Sequence, residues 1–320
     1  MALSSRLKQV LGIDVPVLLA PMANVAGGRL AAAVSSAGGL GLIGGGYGDP
    51  EWLGAELAAA EDAPVGVGFI TWRLAERPAL LDLALAARPR AVLLSFGDVA
   101  PFAARIHAAG AVLIAQVQSV AAARAAAEAG AQVIVAQGGE AGGHGGQRAT
   151  LPLVPAVVDA VAPLPVVAAG GIADGRGLAA ALLLGASGAM LGSRFYASQE
   201  SLAFAAGRAA ALAASGDDTV KGAIYDRLRG YAWPPGYALR TLHNDLTARW
   251  PGAAEGLDAA LADERAAFER AVAQGDTRAA PVIVGEAADL ITDLPPAADI
   301  VRRIARDAED LLRAAPGLVL

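Results

Sequence analysis

The chain has 320 residues, with 25 basic against 31 acidic side chains, a net charge of −6 and no cysteine. It is 55% hydrophobic and only 18% charged, which excludes disorder, and its 39 glycines keep no three-residue period, which excludes collagen. The missing thiols exclude disulfides, thiolate metal sites and a cysteine nucleophile, and the acidic balance gives no support for nucleic-acid binding.

Mean hydropathy is +0.47, yet the longest uncharged window, Leu30–Gly48, is broken by glycine and serine. A spanning helix needs ~20 mostly apolar residues in a row. The opening MALSSRLKQVLGID lacks the basic-then-apolar order of a signal peptide. The expectation is a soluble, cytoplasmic protein.

Short runs rich in Val, Ile and Leu begin near Val15, Gly41, Val65, Ala91, Val112, Val133, Pro165 and Ala189. They are near-continuous rather than alternating, as strands covered on both faces are. Alanine-rich stretches with helical spacing lie between them, and several stop at a glycine. Eight consecutive β/α units by about residue 195 predict a (β/α)8 TIM barrel over 1–199 rather than an open doubly wound sheet. Alanine suits helices that must approach the strands closely while keeping high helix propensity.

After about Gln199 the rhythm stops. Residues 200–278 read as a C-terminal helical insert, a subdomain near the barrel mouth, broken at GDD (216–218) and WPPG (233–236). Residues 279–320 read as a segment returning to the barrel. Tyr231, Trp233 and Tyr237 concentrate scarce aromatic surface; packing the insert onto the barrel is the simpler role, shaping a pocket the sharper one.

Function in such a barrel sits at the C-terminal ends of the strands. The first strand ends in Ala20-Pro21-Met22-Ala23, the sixth in AQGGEAGGHGG (136–146), the seventh in AAGGIADG (168–175) and the eighth in LGSRF (191–195). Loops after the seventh and eighth strands often bind phosphate through backbone amides. Gly170–Gly171 and Gly192–Ser193 fit that role, with Arg194 as a candidate helper. No lysine stands at a strand end, which argues against Schiff-base chemistry.

Of three histidines, His107 and His243 fall in helical patterns and read as ordinary surface or packing residues. His144 lies among small residues at the mouth, where an imidazole suits general-base or hydrogen-bonding work. No second histidine stands at ligand spacing for zinc. Glu140, four residues earlier, reads as structural.

The combination of APMA at the first strand, EAGGHGG after the sixth, AAGGIADGRGLAAALLLGA at the seventh and MLGSRF at the eighth resembles the nitronate monooxygenases, formerly 2-nitropropane dioxygenases. The resemblance implies a TIM barrel holding non-covalent FMN that oxidises alkyl nitronates with O2; charge and hydropathy add the expectation of no nucleic-acid or membrane partner, and nothing in the sequence supports an oligomer. The resemblance implies His144 as the catalytic residue. It further implies that Gly143, Gly170, Gly171, Gly192 and Ser193 hold the cofactor, with Ala20, Pro21, Met22 and Ala23 along the isoalloxazine. Gln116, Ala136 and Gln137 are expected at the flavin's polar edge. One departure is Gly68, where many relatives carry Asn; Trp72 is expected to reshape the pocket instead. The same barrel and histidine motif occur in FMN-dependent enoyl-ACP reductases and in NAD(P)H:quinone reductases, which stand as the alternative.

Overall fold

The computed structural model describes residues 3–252 and 254–318. Strands β1 (Val17–Leu19), β2 (Leu42–Gly44), β3 (Gly66–Ile70), β4 (Ala91–Ser95), β5 (Val112–Val117) and β6 (Val133–Gln137) run parallel. So do β8 (Val166–Ala169) and β9 (Gly188–Leu191), while β7 (Gly143–Gly145) stands outside the series. The eight parallel strands follow the order β1-β9-β8-β6-β5-β4-β3-β2. The ring meets at a single parallel bridge, Leu18 to Leu40. This is the TIM barrel expected from the spacing of the apolar runs.

Successive residues of a strand face opposite sides, and this sorts the apolar residues into two cores. Leu18, Leu42, Leu93, Ile114, Val133, Val135, Val167 and Met190 fill the barrel interior. Leu19, Ile43, Val92, Leu94, Ile134, Ala168 and Ala189 face outward and pack under the helices. Both sets are buried, which is why the strands read as continuous apolar runs.

A short helix, Arg6–Leu11, plugs the N-terminal end of the barrel. Ser5 caps it, its Oγ accepting from the Leu7 N–H at 3.1 Å. Leu7 and Leu11 are fully buried and belong to the interior core. With that end closed, the open cavity lies at the other.

The last strand-helix unit is split. After β9 the chain leaves the barrel for about a hundred residues before helix Ala297–Ala314 packs against helices Gly175–Leu183 and Gly28–Ser36. That is the position the eighth helix of the ring should take. Gly175 permits the approach, since a Cβ there would stand 2.7 Å from the Ala308 N. The intervening segment is not purely helical, as its reading from sequence had it. It carries β10 (Thr219–Gly222) and β11 (Ala238–Leu242), which form an antiparallel sheet with β7 in the order β10-β11-β7. No helix among the described residues is long and apolar enough to cross a membrane.

Candidate active site

A cavity of about 390 Å³ opens at the C-terminal ends of the strands. Alternation within each strand dictates its floor. Gly68, Ser95, Gln116 and Gln137 continue the inward-facing sets of β3, β4, β5 and β6, and all line the cavity. Gln137 is fixed at both ends of its amide. Its Oε1 accepts from Gln118 at 2.7 Å and its Nε2 donates to the His144 carbonyl at 3.0 Å. Ala136 cannot share this position. As the neighbour of an inward residue it points outward into the core beneath the helices, and it is a correction to the sequence reading.

Ala20, Pro21, Met22 and Ala23 form one wall. A glycine-lined cradle formed by Gly142–Gly143, Gly170–Gly171, Gly192–Ser193 and Gly285 forms another. Gly170 and Gly171 hold φ of +97° and +70°, left-handed conformations that favour glycine. A Cβ at Gly192 would project into the cavity mouth, 3.6 Å from the Ala20 Cβ and 3.7 Å from the Met22 Sδ. The Ser193 Oγ accepts from the Gly285 N–H at 2.8 Å, and its own proton has no acceptor among the described residues. Arg194 is not a helper. Its guanidinium is buried beneath the cradle on Asp293 (2.9 Å) and on the Ala197 and Asp293 carbonyls. Glu140 accepts from the Thr150 N–H and hydroxyl, at 2.9 and 2.8 Å, and so fixes the loop beside the cradle.

His144 is the central residue of β7, paired opposite Leu239 of β11, rather than part of a free loop. Its side chain and that of Asp226 are each 7% exposed. The Nε2 lies 2.9 and 3.0 Å from the two Asp226 carboxylate oxygens. With the carboxylate ionised, Nε2 carries the proton and the lone pair falls on Nδ1. Burial holds the imidazole below its ordinary pKa of 6.5, against the upward pull of Asp226. The neutral, proton-accepting form is therefore the resting one at neutral pH. The Trp233 ring stacks on the imidazole, with centroids 3.4 Å apart and planes 10° apart.

Of the three aromatics around the WPPG turn, Tyr231 and Trp233 line the pocket, whereas Tyr237 packs edge-on against Phe96 and Trp233, at 5.1 and 6.3 Å. Tyr47, after β2, stacks on Tyr231 at 3.9 Å and accepts from the Trp233 Nε1 at 3.2 Å. Trp72 stands one layer back, edge-on to Trp233 at 5.6 Å. The Gly68 departure has a steric partner, since a Cβ there would lie 2.3 Å from the Pro21 ring. Sequence reasoning missed Tyr47, Phe96, Asp226 and Arg229. Tyr47 and Phe96 carried a readable signal, standing just beyond predicted strand ends. Asp226 carried none, being 82 residues from its partner.

A glycine-lined cradle and an oriented imidazole lie together at the open end of a (β/α)8 barrel, the end where barrel enzymes carry their active sites. The nitronate monooxygenase family matches residues 4–71 and 70–307, and the chain belongs to that family of oxidoreductases. Among its relatives is a Mycobacterium tuberculosis protein named (3aS,4S,5R,7aS)-5-hydroxy-7a-methyl-1-oxo-octahydro-1H-indene-4-carboxyl-CoA dehydrogenase, 32% identical with the full length of both chains covered. A Rhodococcus jostii protein of the same name is 39% identical, over 62% of this chain and 57% of its own length. A nitronate monooxygenase of Neurospora crassa is 35% identical over 93% of this chain and 90% of its own. FabK from Thermotoga maritima superposes with a TM-score of 0.86 at 31% identity, covering 99% of this chain and all of its own.

Proposed function

We propose that the protein is an FMN-dependent monooxygenase that oxidises alkyl nitronates, and nitroalkanes by way of their nitronates, with molecular oxygen. The family's enzymes are flavoenzymes, and the residues present fit FMN. The cradle offers backbone amides and a Ser193 hydroxyl proton without an acceptor among the described residues, both able to meet a phosphate. The Ala20–Ala23 wall and the Gln116 and Gln137 amides offer a flat apolar surface with a polar edge. When bound, FMN supplies the electron-transfer chemistry.

The observation that carries the reading is the His144–Asp226 pair at the cavity. The Nδ1 lone pair accepts the proton on the carbon bearing the nitro group. Asp226, already on Nε2–H, stabilises the imidazolium that results. The surrounding aromatic and aliphatic side chains exclude water and strengthen that electrostatic support. Asp226 and the Trp233 stack together fix the ring plane, so the base is oriented before substrate arrives.

Likeness to FabK and to the full-length CoA dehydrogenase relative favours a second reading, an FMN-dependent NAD(P)H oxidoreductase of the enoyl-ACP or quinone reductase type. Anaerobic mixing of the FMN-loaded protein with an alkyl nitronate, NADH or an enoyl thioester separates the two. Flavin bleaching by nitronate, followed by O2 uptake in air, is expected. Bleaching by NADH with none by nitronate would replace the first reading with the second.

A further inference from the structure

Arginines of the insert are, as a rule, committed. Arg227 pairs with Asp258 at 2.5 Å, Arg240 with Glu286 at 2.7 Å and Arg249 with Glu264 at 2.6 Å. Arg229 departs from this. It lines the cavity, and no hydrogen bond or ion pair joins it to any described residue; its guanidinium carbon lies 5.6 Å from the Phe268 ring centroid. Asp226, one turn back on the same helix, spends both carboxylate oxygens on His144. Glu140, the carboxylate of the lining, is held by Thr150.

Tyr47 is the second half of the observation. Its oxygen accepts from Trp233, while its own hydroxyl proton has no acceptor among the described residues. Burial and the neighbouring Asp226 charge push its pKa well above the ordinary value of 10, so it remains a phenol and a donor. The Arg229 charge is felt at both Tyr47 and His144, which places these three groups in one electrostatic neighbourhood.

A half-buried guanidinium with no hydrogen-bonded or ion-paired carboxylate among the described residues and a phenol proton without an acceptor line one cavity, two donors that one anionic group can engage. We infer that Arg229 and Tyr47 form a subsite for an anionic group, a carboxylate or a phosphate, on the part of the substrate remote from the carbon facing His144. A guanidinium binds either anion through charge-assisted hydrogen bonds. The inference rests on the proposed function only in taking this cavity as the substrate site. It makes Arg229 a selectivity residue, favouring acidic substrates over neutral ones of equal length.

The test is binding, independent of turnover. Butyrate, propyl phosphate and uncharged butyramide are titrated into the FMN-loaded protein, with tryptophan fluorescence as the signal because Trp233 contacts Tyr47. At least one anion should bind about tenfold tighter than the amide, the order expected for a charge-assisted contact. Preference for butyrate assigns a carboxylate tail, and preference for propyl phosphate a phosphate-bearing one. Arg229→Gln should bring anion and amide within about twofold, Arg229→Lys should keep most of the preference, and Tyr47→Phe should weaken it about threefold. Equal affinity of all three probes for the unsubstituted protein, or an anion preference unchanged in Arg229→Gln, would overturn the subsite. Anion preference without nitronate oxidation would keep the subsite and remove the proposed reaction.

Discussion

Asp226→Asn is the substitution that asks most of the site. It keeps the size of a side chain that is 7% exposed and removes a charge 2.9 Å from the His144 Nε2. An opposite charge at that range shifts a pKa by about 1–3 units, or roughly 1.4–4 kcal/mol at 1.36 kcal/mol per unit. The sign follows from the two opposing influences on His144. Burial lowers its pKa and Asp226 raises it, so without the carboxylate the pKa falls further. The base is active when neutral, and its acid limb in kcat/KM for a neutral nitroalkane should therefore move about 1–2 units down in pH. At neutral pH the rate should fall about 100-fold, because the imidazolium has lost its stabiliser and the ring its fixed tautomer. A preformed nitronate needs no proton removed, and its loss should stay below about tenfold. Oxygen uptake with nitroethane and with ethyl nitronate across pH 5–9 measures both. Asp226→Glu should restore part of the rate on nitroethane. Equal losses on the two substrates with an unmoved acid limb would refute the reasoning and leave Asp226 as a packing residue.

Three further expectations follow from the same geometry. Because His144 titrates below 6.5 when folded, the unfolded chain binds the extra proton first. Its contribution to stability is complete above about pH 6.5 and declines as the pH falls from there toward the folded pKa. Urea midpoints across that interval should show a decline that is smaller in His144→Gln. Gly171→Val places a β-branched residue at φ +70° and should cost on the order of 1–3 kcal/mol while loosening the cradle. The flavin-to-protein ratio after gel filtration should fall together with Tm. Leu7→Ala, in the plug at the closed end, should cost about 2–5 kcal/mol by denaturant unfolding and leave kcat/KM within about twofold.

The barrel was legible because its signal is local. Each buried strand is a run of apolar residues, each helix a patterned stretch with a glycine stop, and their repetition needs no knowledge of distant contacts. The glycine-rich strand ends were legible for a similar reason, since a backbone that must approach a ligand or adopt positive φ leaves glycine in the sequence, as at Gly170 and Gly171. What the sequence concealed is non-local. The strand Gly143–Gly145 exists only because Ala238–Leu242 pairs with it, and nothing in three residues predicts that. Asp226 became visible only when the insert folded back onto His144. Ala136 shows a different lesson, since strict alternation already implied that it and Gln137 could not both face the cavity. Arg194 was misread because a charge beside a glycine turn suggests an anion, whereas its stem runs the other way, to Asp293.

The split eighth unit bears on the order in which the enzyme can be assembled. Strand β9 is complete by residue 191, but the helix that covers this side of the ring begins at residue 297. During synthesis the last parallel strand is thus in place while its covering helix is still about a hundred residues from being made. The segment that brings Asp226, Arg229 and Trp233 to the pocket emerges in that interval, tethered at one end only. It is anchored at both ends when Ala297–Ala314 docks between the first and seventh helices. One helix thus closes the ring and fixes the far end of the segment that carries the pocket residues, so a substitution that loosens its docking bears on scaffold and pocket together.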